Sequence, residues 1–284
     1  MRRCAFLTTG SLENFVTYDH LLHEPLAECG WQVDEVPWRA DVEWNTYEVV
    51  VVRSPWDYQD DPEQFWSVLE AIDRSAARLE NPLELMRWNL QKTYLRDLET
   101  QGFPIVPTRW LDRLAPDALP ALFDAFGADE IVVKPVVGAN ADDTFRLTRD
   151  AATDEVMAAF ADRACLAQPF VQAVVDEGEF SLFYFGETYS HTILKTPTPG
   201  DFRVQEEHGG PIRAVEPEPA LRAVSDVVFA ALAPRPLYAR TDFVRLPTGF
   251  ALMEVELIEP SLYFPYDPAS PARFADAFVQ RMAD

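Results

Sequence analysis

Val49-Val50-Val51-Val52 restricts the architecture more than any other stretch of the sequence. Successive side chains of a strand point to opposite faces, so four branched apolar residues in a row describe a strand without a polar face. Such a strand needs a layer on each side, as the strands of parallel α/β sheets have. The flanking pattern agrees. Cys4 to Thr9 and Gln32 to Val36 read as strands, and Tyr47 to Val52 as the buried one between helices. Tyr18 to Cys29 carries apolar residues at helical spacing and closes on Gly30, while Pro62 to Ile72 reads as a helix with Asp61 as its cap and Pro at its first position. This β-α-β-β-α order predicts a small parallel α/β domain over residues 1–86.

Asn81-Pro82 is turn chemistry and places a boundary near Arg87. Beyond it, Asn89 to Gln101, Pro116 to Phe126 and Thr153 to Arg163 read as helices. Ile105 to Leu111, Glu130 to Val137, Thr144 to Thr148 and Cys165 to Val171 read as extended. From Gly178 the chain is strand-rich: Glu179 to Phe185, Thr188 to Lys195, then Pro236 to Leu246 and Phe250 to Ile258 after a helix over Glu218 to Leu232, with a closing helix over Ala272 to Met282. The long polar loop from Thr196 to Pro211 has the length of a lid or binding loop. The organisation predicted is α/β followed by α+β, in three units over residues 1–86, 87–168 and 169–284.

A chain of 284 residues that is 48% hydrophobic and 25% charged can bury a large core. Its 24 basic and 47 acidic residues leave a net charge of −23, so a nucleic acid or an anionic membrane would be approached against the protein's own field. Neither is expected as a partner. Cys4, Cys29 and Cys165 are odd in number and widely spaced, which suits buried thiols in a reducing cytosol better than disulfides or a zinc site. The few apolar residues after Arg2-Arg3 are too short for a signal-peptide core, so a cytoplasmic location is expected.

The last hairpin carries the chemistry. With a loop over Pro247-Thr248-Gly249, Asp242 opposes Glu254 and Arg240 opposes Glu256, all four on one face. Opposed carboxylates destabilise a sheet, whereas a hard divalent cation requires them. The alternative is a solvated acidic face with Arg240 as counterion. A magnesium site in turn needs phosphates, and those need cations. Lys134 interrupts the apolar strand Ile131-Val132-Val133, where a charge is costly without a partner, although an edge gatekeeper reads the same way. The small-residue loop from Val137 to Asp143, with Gly138 and Asn140, could offer amides to an anion. Lys92 and Lys195 fall at element ends beside these candidates. In the long loop, Asp201-Phe202-Arg203 and His208-Gly209-Gly210 combine an arginine fork with a close-approach glycine pair, or simply a polar loop with turn glycines. Arg53-Ser54-Pro55-Trp56-Asp57-Tyr58 follows the valine strand, where open parallel sheets bind ligands, and reads as a substrate pocket or as a Trp-packed loop. Whether Tyr18 and Asp19 approach the same place is not set by the sequence pattern.

These motifs resemble the ATP-grasp carboxylate–amine ligases, in particular the glutathione-synthetase-like group that includes the O-ureido-serine cyclo-ligases. The resemblance runs over nearly the whole chain. Its most specific parts are Arg53 to Tyr58, Trp88 to Lys92, Val133-Lys134-Pro135, Gln168 to Val171 with Gly178-Glu179, Asp201 to Arg203 with Gly209-Gly210, Arg240 to Asp242 and Met253 to Glu256. It implies an ATP-grasp fold with a substrate-side domain, a nucleotide lid and a metal-bearing domain. Lys92 and Lys134 would contact ATP phosphates. Gln168, Phe170 and Val171 would form the adenine hinge, with Glu179 on the ribose. Lys195, Arg203 and Arg240 would be the catalytic cations, and Asp242, Glu254 and Glu256 the ligands of magnesium or manganese. Arg53, Ser54, Trp56, Asp57, Tyr58, Asp19, Gly209 and Gly210 would meet a small amino-acid-type substrate. Two departures stand out: Glu256 occupies a position often held by Asn in glutathione synthetase, and the loop after Lys134 has Gly138 as its only glycine.

The reaction implied is activation of a carboxylate as an acyl phosphate, followed by attack of an amine to form an amide or a ring. Positioned cations would supply most of the catalysis, with no Cys, Ser or His nucleophile required. The rival reading is a nucleotide-binding regulator that keeps the fold without turnover, but it predicts loss of at least one metal carboxylate. Dimers are common among such ligases, so a homodimer is also implied.

Overall fold

Each of the four valines is fully buried, and they divide between two cores. The computed structural model describes residues 1–13, 15–115, 117–138 and 141–283. Strands β1 (Arg2–Thr8), β2 (Trp31–Pro37), β3 (Val49–Ser54) and β4 (Arg78–Glu80) form a parallel sheet in the order β2-β1-β3-β4. Val50 and Val52 pack on Phe65, Leu69 and Ile72 of the helix Pro62–Asp73. Val49 and Val51 face the other way, into a core shared with Phe183, Tyr238 and the terminal helix Ser270–Arg281 through Phe274 and Phe278. Burial is worth about 1.5–3 kcal/mol per valine, and here it ties the first sheet to the last part of the chain. Asp61 caps the helix Pro62–Asp73, accepting from the Gln64 N–H at 3.0 Å.

A second, antiparallel sheet has the order β5-β8-β6-β7, from β5 (Arg109–Leu111), β6 (Glu130–Pro135), β7 (Phe145–Thr148) and β8 (Cys165–Pro169). It has its own core, in which Leu119, Leu122 and Phe123 of the helix Ala118–Phe126 meet Ile131 and Val133. The third sheet, also antiparallel, runs β11-β10-β9-β12-β13 from β9 (Glu179–Phe185), β10 (Thr188–Lys195), β11 (Ile212–Ala214), β12 (Tyr238–Leu246) and β13 (Gly249–Glu256). No helix among the described residues is long and apolar enough to cross a membrane.

Four local expectations are corrected. The segment expected as one helix from Asn89 to Gln101 is helical only over Tyr94–Thr100, and a separate helix, Leu83–Asn89, ends where it was expected to begin. Lys92 sits in the break, because its N–H leaves the helical ladder for the Val136 carbonyl at 2.8 Å. The stretch Tyr18 to Cys29 is a 3-10 turn, Asp19–Leu22, followed by a short helix, His23–Glu28. Cys29 at its end is exposed, whereas Cys4 and Cys165 are buried free thiols. The hairpin loop is two residues, since Leu246 opposes Gly249, but a bulge at Met253 restores the register, and Asp242 still opposes Glu254 and Arg240 still opposes Glu256.

β13 lies at a sheet edge, where among the described residues only Leu252 finds outward backbone partners, in the Pro104 carbonyl and the Val106 N–H. Further along, side chains from the connection between the first two sheets take the place of a strand. Tyr94 accepts from the Val255 N–H at 2.8 Å, and Asn89 pairs with the Val255 carbonyl at 2.8 Å and the Leu257 N–H at 3.0 Å. Fully buried Asn81 donates to the carbonyls of Tyr238 (3.0 Å) and Leu257 (2.7 Å) and accepts from the Leu237 N–H at 2.6 Å. Each orphaned buried group costs about 1–3 kcal/mol. Asn81→Ala therefore lowers the unfolding free energy by about 3 kcal/mol or more in urea titration; a change below about 1 kcal/mol would show that these backbone groups have other partners.

Candidate functional site

One cavity opens where the three sheets meet, and its two ends differ in chemistry. At one end Val132, Phe170, Val171, Val204 and Met253 form an apolar slot. Phe170 is held between the Arg146 guanidinium, 3.7 Å above its ring, and the edge of Phe202. Gln168 lines the same end and donates to Thr108 at 3.0 Å.

The other end is charged. Lys195 lies 2.7 Å from Glu179 and 3.8 Å from Asp242. Lys92 is paired with Glu254, and Arg240 with Glu256. The Arg240 Nε also meets both oxygens of Asp242 at 3.1 Å, and Ser181 donates to Asp242 at 2.5 Å. Lys134 also lines the cavity, has no ion pair among the described residues, and is 9% exposed. Burial pulls its pKa below the ordinary lysine value. For Lys195 burial acts in the same direction, but Asp242 and Glu179 outweigh it and hold the pKa high. The chain contains only three lysines, Lys92, Lys134 and Lys195, and all three line this cavity.

The carboxylates are not equally neutralised. Burial works against the Glu254 charge, yet Lys92 and Lys134 hold its pKa down at about 2. Burial, with Asp242 and Glu254 adding to it, pushes Glu256 up to about 8 despite Arg240, and burial pushes Glu259 up to about 7. Such a cluster is short of positive charge. Hard oxygen donors in that state fit a divalent cation. Among the described residues, however, no three acidic, His or Cys side chains converge closely enough to hold a metal, because each of Asp242, Glu254 and Glu256 is turned onto a protein cation.

The wall after β13 is irregular, and its backbone is fixed entirely by side chains. Six consecutive carbonyls each accept from one: Leu257 from Asn81, Ile258 from the Tyr238 hydroxyl (2.9 Å), Glu259 from the Trp56 indole (2.9 Å), Pro260 from Arg53 (3.0 Å), Ser261 from Arg240 (3.3 Å) and Leu262 from His191 (3.2 Å). The segment presents Ile258, Glu259, Ser261 and Tyr263 to the cavity.

Comparison with known proteins agrees with this architecture. The family described as "D-cycloserine synthetase DcsG, N-terminal domain" matches residues 4–81. The cycloserine biosynthesis protein DcsG of Streptomyces lavendulae is 33% identical over 276 residues, covering 89% of this chain and 88% of that protein. The chain belongs to the DcsG family. The crystal structure of D-cycloserine synthetase DcsG superposes with a TM-score of 0.85 at 30% identity, over 99% of both chains. D-alanine–D-alanine ligase from Bacillus anthracis shares the fold, at TM-score 0.67 and 13% identity, over 100% of this chain and 98% of that one. The ATP-grasp ligase PsnB, complexed with minimal precursor, Mg and ADP, does so at 0.67 and 13%, over 99% and 98%. The fold is ATP-grasp, and this DcsG-family protein is an ATP-dependent ligase that forms C–N bonds.

Within this DcsG-family ligase, Lys92, Lys134, Gln168, Phe170, Val171, Glu179, Lys195, Arg203, Arg240, Glu254, Glu256, Trp56 and Tyr58 are brought together at the cavity. Asp242 is 2% exposed and lies behind that wall, bound to Arg240 and Ser181. Arg203 faces the cavity but is forked onto Asp201 at 2.8–3.2 Å. Arg53, Asp19, Ser54 and Asp57 do not reach the cavity. Arg53 is 1% exposed and bound to Asp19 at 3.0 Å and to Pro260; Ser54 bonds Thr8; Asp57 accepts from Trp38 and Arg39. Gly209 and Gly210 shape the long loop instead of lining the cavity: a Cβ at Gly210 would meet the Thr196 carbonyl oxygen at 2.3 Å. Asn140 lies outside the described residues. Glu259 had no periodic signal, because it falls past the end of the strand.

Removing Arg53 would strand buried Asp19 and free the Pro260 carbonyl, so Arg53→Ala lowers the unfolding free energy by about 3 kcal/mol or more in denaturant titration. Full retention of stability with weakened substrate binding would return Arg53 to the substrate-contacting role.

Proposed function

We propose that this chain activates the carboxylate of a small amino-acid-type substrate with ATP, as an acyl phosphate, and joins it to an amine in the same molecule or a second one. The observation that carries the reading is that every lysine of the chain converges on one cavity, with Lys134 lacking an ion pair among the described residues. An ammonium kept desolvated without a counterion is a ready site for an anion. The sequence of DcsG, whose name marks cycloserine biosynthesis, favours ring closure over ligation of two molecules.

In this proposal the apolar slot at Phe170 and Val171 takes the adenine, beside Gln168, and Glu179 takes the ribose. Lys92 and Lys134 meet the phosphates, while Lys195, Arg203 and Arg240 hold the reacting carboxylate against them. Two anions that repel each other are thereby aligned, which is where positioning and electrostatic stabilisation act. Asp242, Glu254 and Glu256 would hold magnesium or manganese, which supplies neutralisation of phosphate charge. Phosphates arriving at Lys92 and the substrate carboxylate arriving at Arg240 offer those cations new partners and release Glu254 and Glu256. By domain, residues 1–86 serve the substrate, 87–168 the nucleotide lid and 169–284 the metal and phosphates.

Protein given ATP, Mg²⁺, an amino-acid-type acid and hydroxylamine accumulates a hydroxamate and ADP; nucleotide binding without either product from any acid of a broad panel rejects the ligase reading for this chain. Lys134→Met leaves the melting temperature of the nucleotide-free protein unchanged or higher, since it removes a desolvated charge, and weakens ATP binding by about tenfold or more in calorimetry. A large loss of thermal stability with unchanged nucleotide affinity would make Lys134 a structural residue.

A further inference from the structure

Of the carboxylates that line the cavity, Glu179, Glu254 and Glu256 each have a protein cation within ion-pair distance, as does Asp242 behind them, whereas Asp142, Glu207 and Glu259 have none among the described residues, and of these three only Glu259 belongs to the wall that follows β13. Its backbone is also held. Glu259 belongs to the run of six captured carbonyls, and its own carbonyl and that of Pro260 are held by Trp56, in the turn after β3, and by Arg53 of β3. Its carboxyl lies near Tyr58, close enough for each group to perturb the other, and Tyr58 lines the cavity with Trp56. Tyr263, at the end of the same segment, is a non-glycine residue at φ +47, a conformation that costs about 1–3 kcal/mol and persists only where the surroundings impose it. The wall thus carries an acceptor that lacks a charge partner, in the cavity that Trp56, Tyr58, Arg240 and Lys195 also line.

We infer that Glu259 is a specificity-determining residue that binds the ammonium group of the substrate, so that the ligase selects acids bearing a free amine. The inference rests on the ligase reading for the position of the reacting carboxylate. That carboxylate lies toward Lys195 and Arg240, and the ammonium, as a recognition group, lies on Glu259. The contact is a charge-assisted hydrogen bond made without reordering the wall. An analogue lacking the amine leaves Glu259 desolvated and unpaired, which is how a polar site rejects a close isostere. Tyr58, acting through Glu259, is a positioning residue.

The test is calorimetric titration of the wild-type and Glu259→Gln proteins with O-ureidoserine and with its deamino counterpart, and separately with MgADP. The wild type binds the amine-bearing acid about 30-fold more tightly than the deamino acid. Glu259→Gln brings the ratio to about threefold or less by weakening only the amine-bearing acid, with MgADP affinity within about twofold of wild type. Tyr58→Phe reduces the ratio to an intermediate value, a change that a purely packing role would not make selective for the amine. Equal binding of the two acids by wild type, no binding of either, or an unchanged ratio in Glu259→Gln overturns the inference. A parallel loss of MgADP affinity in that variant overturns it too, by making Glu259 a metal ligand. Failure of wild type to bind MgADP counts against the ligase reading instead, and the ratio of the two acids still decides the role of Glu259.

Discussion

Six backbone carbonyls in a row, from Leu257 to Leu262, have neither a helix nor a strand to satisfy them, and this requirement organises much of the molecule. Buried carbonyls must be paired. The donors come from far apart in the chain: Arg53 from the end of the valine strand and Trp56 from the turn after it, Asn81 from the connection beyond β4, His191 from β10, Tyr238 and Arg240 from β12. The first and third sheets are therefore fixed to each other by polar contacts as well as by the core they share. The segment so held forms one wall of the cavity.

The same economy governs charge. Carboxylates on neighbouring strands would repel if each did not have a cation beside it, and Arg240 serves Asp242 and Glu256 while also holding the Ser261 carbonyl. The electrostatics of the site and the backbone of its wall are thus coupled through one guanidinium. Breaking a buried pair costs far more than the pair contributes, so the arrangement tolerates replacement of a partner by an incoming phosphate or metal better than simple removal.

The valine strand, the capped helix Pro62–Asp73 and the paired residues of the last hairpin were legible in the sequence because each rests on a strong local rule of periodicity or capping. The hairpin pairs emerged from compensating differences: a loop one residue shorter than expected and a bulge at Met253, neither visible in the pattern. The motif Arg53 to Tyr58 reads as a substrate pocket or as a Trp-packed loop, and only Trp56 and Tyr58 reach the cavity. Residue type cannot distinguish an arginine that grips a ligand from one that grips a distant carbonyl, since both need the same fork of donors. The pattern around Lys92 predicts a helix, because the interaction that interrupts it, a tertiary bond to Val136, leaves no local signal. A simpler signal was present in the composition: with three lysines among 24 basic residues, each is a candidate for a task that arginine cannot perform.

That distribution also bears on chemical self-protection. Acyl phosphates react with primary amines, and most proteins present many lysines to whatever leaves their active site. This chain's outer surface relies on arginine for its positive charge, while its lysine ammonium groups sit in the cavity with little exposure. If turnover passes through an acyl phosphate, as proposed, an intermediate escaping into solvent would find no lysine nucleophile on the exterior of the protein.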